Sequence, residues 1–190
     1  PGVIDLAVDA TDVARGILRV RERLPVAAAG PMTLLYPEWH PGKHAARGAI
    51  NLLAGLEIRA AGQIVPWRRD PLNVFAFHVD VPAGADALDL SFQFVSPTQG
   101  NQGRVMVTRE MLNLQWEVAL LYPAGHYASR IRFVPSVQLP DGWSFAVALD
   151  GAVTAASVTR FAATDLETLV DSPLFAGRYS RVVDLDPGAA

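Results

Sequence analysis

The chain has 190 residues and no Cys; about half of it is hydrophobic (51%) and only 18% is charged. No disulfide or thiolate metal site is possible, but a chain longer than about 150 residues buries roughly 68–70% of its unfolded surface and builds a core without such staples. The net charge of −3 argues against a nucleic-acid binder held by phosphate contacts, and no apolar run reaches the length of a membrane-spanning helix.

The chain begins Pro1-Gly2 without an initiator Met or a signal-like segment, so it reads as a piece of a longer product. Fifteen of the sixteen basic residues are Arg, Lys43 being the exception. No Pro- or Gly-rich linker divides the sequence, so residues 1–190 are expected to form a single domain.

Period-2 alternation dominates from the start, as half-buried strands require. The first strand is expected at 3–9. Leu18, Val20 and Leu24 then alternate with Arg19, Arg21 and Arg23, while Glu22 interrupts the apolar face. Strands follow at 32–37, 55–60, 63–67 and 73–81, with Ala60-Ala61-Gly62-Gln63 as a hairpin tip and Pro82–Asp86 as a turn. Leu88, Leu90, Phe92 and Phe94 alternate with Asp89, Ser91 and Gln93. Further strands are predicted at 104–108 and 112–121, around Ile131 and Phe133, and at 143–149, 153–162 and 178–185. Only residues 164–170 read as helical, with Thr164 or Asp165 as cap and Pro173 as a stop. The expected fold is all-β, an antiparallel β-sandwich-like domain with one short helix near the C-terminus.

Chemistry-bearing patterns are sparse. His40 and His44 have the i, i+4 spacing of a zinc-binding helix, but Pro41 and Gly42 between them favour a turn, and no third ligand is evident. There is no G-x-S-x-G elbow and no Gly-rich phosphate loop. Asp70, Asp80, Glu110 and Glu117 are scattered carboxylates, each expected on a solvated strand face or turn. Of the four Trp, Trp143 is expected in the core, and Trp39 and Trp116, with polar neighbours, are expected to be more open. Leu34-Leu35-Tyr36-Pro37 recurs as Leu120-Leu121-Tyr122-Pro123, an echo too short to mark a duplication.

Several segments, taken in order, resemble a known family. They are Tyr36-Pro37-Glu38-Trp39-His40-Pro41-Gly42, Pro66-Trp67-Arg68-Arg69-Asp70-Pro71 and Val74–Gly84, then Leu114-Gln115-Trp116 with Leu120–Gly125, Leu139-Pro140-Asp141-Gly142-Trp143 and Asp171–Tyr179. Together they resemble the N-terminal domain of the glycyl aminopeptidase family of zinc metallopeptidases. The resemblance implies a non-catalytic β-domain that precedes a thermolysin-like catalytic domain with an H-E-x-x-H motif, in enzymes that release N-terminal Gly and Ala. No H-E-x-x-H is present in this chain, so no catalytic or metal residue carries over. The resemblance therefore implies no cofactor in this segment and zinc in a downstream catalytic domain. That domain and the N-terminus of a peptide substrate are the implied partners, and an exported, periplasmic location is compatible with it.

By analogy with related zinc aminopeptidases, whose β-domain walls one side of the cleft, the candidate substrate-cleft residues are Gln115, Trp116 and Glu117. Gln115 offers a carbonyl oxygen to an ammonium and Glu117 a negative charge; on a continuous strand the two point the same way. The bland alternative is an ordinary strand with two polar residues facing solvent. Two other readings stay open: a self-standing sandwich that binds a glycan or an extended peptide through Trp39, Trp116 or a sheet edge, and a stand-alone hydrolase built on His40 and His44. If a catalytic domain docks here, an exposed apolar patch is expected near the last strand and residues 165–175.

Overall fold

The computed structural model describes residues 2–39, 44–104, 106–181 and 183. The first half of the chain folds into eight strands: β1 (Ile4–Asp12), β2 (Ile17–Pro25), β3 (Gly30–Leu35), β4 (Leu53–Ala60), β5 (Gln63–Ile64), β6 (Trp67–Arg69), β7 (Ala76–Val81) and β8 (Ala87–Val95). The second half adds β9 (Met111–Leu114), β10 (Tyr122–Pro123), β11 (Arg132–Gln138), β12 (Ser144–Ala146), β13 (Val153–Ala155), β14 (Val158–Arg160), β15 (Thr164–Asp165), helix α1 (Leu166–Val170) and β16 (Leu174–Gly177).

These strands form three sheets. The largest runs β13-β14-β11-β1-β2-β8-β4-β5, with β15 also on β11. A four-stranded sheet runs β10-β3-β7-β6, and a three-stranded sheet runs β12-β16-β9. Among the described residues every strand pair is antiparallel except β1 with β11, which lie parallel. The fold is the sandwich-like, mostly β arrangement that the alternation predicted.

The alternation becomes one continuous core. Leu6 and Val8 of β1, Leu18 and Val20 of β2, Leu90, Phe92 and Phe94 of β8 and Phe133 of β11 point inward from the large sheet. Leu34 of β3, Phe77 of β7 and Leu112 and Leu114 of β9 close the core from the smaller sheets. Each fully buried aliphatic or aromatic side chain of this kind contributes about 1.5–3 kcal/mol. The turns follow local chemistry. Ala61 (φ 46°) and Gly62 (φ 78°) both adopt the left-handed region, as the tight β4–β5 hairpin requires. Asp165 caps α1 by accepting the Thr168 N–H at 3.0 Å.

Several elements differ from expectation. The strand predicted over 112–121 stops at Leu114, and Trp116–Val118 turns into a short 3₁₀ helix. The 153–162 segment is a hairpin of two strands, with Ala156 at φ 53° between them. Among the described residues of 104–108, only an isolated bridge forms, Val107 with Leu112. The last strand among the described residues is Leu174–Gly177; of the segment predicted at 178–185, residues 178–181 and 183 are described and carry no strand, and the rest lies outside the described residues. The Leu-Leu-Tyr-Pro echo has a spatial counterpart, because β3 and β10 pair antiparallel with Tyr122 opposite Leu35. His40 and its neighbours 41–43 lie outside the described residues, so the His40–His44 pair does too.

Candidate functional site

Four stretches distant in sequence converge on a cleft of about 990 Å³. Residues 44–52 form one wall, 102–104 with Met106 a second, 115–118 a third and 170–173 a fourth, and Phe94 of β8 also lines it. Gln115 and Glu117 both line this cleft. Trp116, the third candidate, does not: its side chain is fully buried. The 3₁₀ turn, not strand alternation, sends residues 115 and 117 to one side and 116 to the other.

The reversal at Trp116 has a clear cause. Its indole N–H donates to the Ser172 carbonyl at 2.9 Å, and its ring meets Phe161 edge-on at 6.2 Å. A large apolar ring with one satisfied polar atom is most stable inside. The expectation that Trp116 is open is corrected by this burial, which also removes Trp116 from the surfaces a glycan or peptide could use. Trp39 is exposed, and Trp143 is half-buried against the core.

The cleft wall at 115–121 is pinned to the core by three polar hooks. Trp116 to Ser172 is the first. Tyr36 is the second, its hydroxyl donating to the Val118 carbonyl at 3.2 Å. Burial, with the charge of Glu117 nearby, pushes the Tyr36 phenol up from its ordinary pKa. Glu22 is the third: its Oε2 accepts the Leu121 N–H at 2.9 Å. The Glu22 side chain lies in the core, where burial raises its pKa to about 8 despite that hydrogen bond. The sequence carried a signal for it, a carboxylate at an inward-facing phase of the 18–24 alternation.

Glu117 is itself 92% buried from solvent at the cleft margin, contrary to the solvated strand face expected for it, with a relative exposure of 8%. The Gln115 amide nitrogen donates to Asn113 Oδ1, which leaves the amide oxygen as the acceptor it presents. His44, Arg47 and Arg104 bring basic groups to the opposite walls, and Asp171 adds a carboxylate. The 44–52 wall is held by Arg47 and Gly48, whose N–H groups both donate to the Glu38 carbonyl. Gly48 is required there, because a Cβ would sit 2.3 Å from the Pro37 carbonyl oxygen. No group of three His, Asp or Glu side chains suited to a metal occurs among the described residues.

A second constellation lies on the outer face of the four-stranded sheet. His78 Nδ1 meets the Thr33 hydroxyl at 3.0 Å and His78 Nε2 meets Asp70 Oδ2 at 2.8 Å. The order resembles a hydroxyl–imidazole–carboxylate triad. Thr33 and His78 are directly cross-paired on β3 and β7, and neither lines the cleft, so the chain of contacts reads as a fastener between strands. Asp70 is held down to about 2 by His78 first and then by the Asn73 and Leu72 N–H groups.

Near the last described strand two apolar side chains reach the surface. Met111 and Phe175 are about half exposed on the same face of the β9–β16 pair, where Phe175 lies opposite Asn113 and Met111 opposite Gly177.

Comparison with known proteins places this architecture. An aminopeptidase N family protein from Idiomarina loihiensis is similar over 92% of this chain and 29% of its own, with a TM-score of 0.73 at 13% identity. An M1 zinc metallopeptidase from Deinococcus radiodurans matches 92% of this chain and 41% of its own, with a TM-score of 0.54 at 13% identity. Yeast LTA4 hydrolase in complex with bestatin matches 95% of this chain and 29% of its own, with a TM-score of 0.53 at 13% identity. At these identities the likeness is one of fold, and the chain spans well under half the length of each relative. No curated protein sequence matches the chain. The sequence profile of the peptidase M61 N-terminal domain matches residues 5–178, almost the whole chain, and the protein therefore belongs to the peptidase M61 N-terminal domain family.

Proposed function

We propose that the chain is a single, non-catalytic domain that walls the substrate cleft of a zinc aminopeptidase and helps hold the amino terminus of a peptide. The observation that carries this reading is the joint placement of Gln115 and Glu117 on one cleft wall, with Glu117 largely withdrawn from water. A free α-amino group has a pKa of about 7.7–8.0, so at neutral pH it is largely an ammonium. The Gln115 oxygen and the Glu117 carboxylate are both acceptors suited to its N–H donors, and a charge-assisted bond in a recessed site is the stronger kind. The exposed Met111–Phe175 face is suited to packing against a catalytic domain that follows in sequence.

Among the described residues no cluster of side chains is suited to hold zinc. In this reading the metal and its chemistry belong to the downstream domain, and the names of the structural relatives, aminopeptidase and zinc metallopeptidase, support that division of labour.

The test is an aminopeptidase assay of this chain alone, supplied with zinc, on Gly- and Ala-naphthylamide. The expected result is no turnover above buffer. Robust turnover abolished by a chelator contradicts the non-catalytic assignment.

A further inference from the structure

The outward face of the large sheet holds a second recess that the aminopeptidase reading does not use. The strand registers define three rows across it. The middle row is Arg160, Ser136, Ala7, Arg21, Ser91 and Glu57, on β14, β11, β1, β2, β8 and β4 in turn. One flanking row carries Asp5, Arg23, Asp89 and Arg59, and the other carries Gln138, Asp9, Arg19 and Gln93. Short side chains at Ser136, Ala7 and Ser91 sink the middle row between longer neighbours. Two adjoining hollows result, of about 370 and 360 Å³, and Arg21, Ala7, Ser91 and Ser136 line both. That is the size range of small-molecule pockets.

The charges on this face are mostly neutralised in pairs. Arg19 meets Asp12 at 2.6 Å, Arg23 meets Asp89 at 2.9 Å, Arg59 meets Glu57 at 2.7 Å, and Arg160 pairs with Asp5. Two charges stand apart from this pairing. Arg21, on the central strand, has no carboxylate partner among the described residues. Asp9 uses Oδ1 to accept from the Thr11 N–H and hydroxyl, and meets no cation among the described residues. Both line the first hollow, and they occupy diagonal positions of the β1–β2 ladder, roughly 7–8 Å apart at the backbone. Long side chains on such a diagonal come within reach of one small ligand. Phe92 is the one aromatic residue lining either hollow, and it is buried in the core, so it offers no exposed ring to stack a sugar or a base.

We infer that this recess binds a small zwitterion of the α-amino acid or dipeptide class, with Arg21 taking the carboxylate and Asp9 the ammonium. The guanidinium fork matches a planar carboxylate bidentately, and the Ser91 hydroxyl is a further donor beside it. An ammonium supplies the counter-charge that Asp9 lacks. A simple anion satisfies only one of the two groups, and so does a simple cation, which is what makes the site selective for a molecule carrying both.

The experiment is a backbone-amide NMR titration of the full chain with glycine, glycylglycine, acetate and methylammonium as separate probes. Saturable shifts centred on Ala7, Arg21 and Ser91 are expected with glycine or glycylglycine, with dissociation constants in about the millimolar range, and at least about tenfold weaker binding of acetate and methylammonium. Arg21→Gln and Asp9→Asn are each expected to weaken glycine or glycylglycine binding about tenfold. Arg68→Gln, which removes an exposed arginine on β6 of the four-stranded sheet, is expected to leave it within a factor of about two. The inference is overturned if neither zwitterion gives saturable shifts, if acetate binds as well as they do, or if Arg21→Gln binds like the parent while its spectrum elsewhere is unchanged.

Discussion

Raising the pH from about 4.5 to 8 is expected to destabilise the domain through one buried group, Glu22. Its pKa is about 8 in the folded chain, against an ordinary value of 4.5, because the carboxyl lies in the core and the Leu121 N–H offsets that burial only in part. A group raised on folding contributes its stability in full below the unfolded pKa. The contribution falls as pH rises toward the folded value, because only the unfolded chain releases the proton in that window. The slope is about 1.36 kcal/mol for each pH unit, several kcal/mol in all. That is a large part of the roughly 5–15 kcal/mol that holds a typical domain.

Glu22→Gln keeps an oxygen for the Leu121 N–H and does not ionise. Urea denaturation at pH 5, 6.5 and 8 is therefore expected to show the parent losing stability relative to the variant as pH rises. Parallel behaviour of the two proteins contradicts a buried, neutral Glu22. At the acid end the sign reverses. Asp70, depressed to about 2, contributes stability above its ordinary 3.8 and loses it as pH falls through about 2.

Trp116→Ala is the second large effect. The substitution removes a fully buried ring from its edge-on contact with Phe161, which in turn meets Phe145 edge-on at 6.0 Å. It also strips the Ser172 carbonyl of its indole donor. Truncating a core Trp costs about 3–5 kcal/mol. Trp116→Phe restores an aromatic ring but not the hydrogen bond, and is expected to recover part of that loss. Denaturation midpoints at one pH measure both. A loss below about 1 kcal/mol for Trp116→Ala contradicts the role of Trp116 as the anchor of the cleft wall.

These two residues also mark where the sequence was legible and where it was not. The inward positions of β2 followed directly from alternation: Leu18, Val20 and Leu24 are buried and Arg21 and Arg23 are exposed. Glu22 obeyed the same phase against its own chemistry. Its burial depends on a backbone N–H from Leu121, ninety-nine residues away, which no local pattern reveals. The 112–121 segment misled for a related reason. Its residues suit a strand, but the Ser172 carbonyl draws Trp116 inward, and Leu114 ends the ladder. The helix at 166–170 was legible because its cap is local, Asp165 to Thr168. The cleft was not, since it is assembled from stretches spread between residues 44 and 173: His44 stood out only as half of a histidine pair, and Gln115 and Glu117 were joined as cleft residues only through a family resemblance.

The recess on the large sheet was hidden in the same way. Arg19, Arg21 and Arg23 read as one water-facing stripe, and their spacing is identical. Cross-strand neighbours distinguish them: Arg23 faces Asp89, while Arg21 lies between Ala7 and Ser91.

The central claim is that Gln115 and Glu117 hold the amino terminus of a peptide. In the proposed reading a zinc catalytic domain adjoins this one, so the direct measurement is kcat/KM of that longer protein, loaded with zinc, on substrates with a free and with an acetylated amino group. Losing one charge-assisted hydrogen bond of about 1.5–3 kcal/mol corresponds to roughly a 10–150-fold change. Glu117→Gln is predicted to lower kcat/KM by that factor on the free-amine substrate, with Gln115→Ala producing a smaller loss, and neither affecting any residual turnover of the acetylated one. Unchanged kcat/KM on the free-amine substrate in both variants would contradict the assignment.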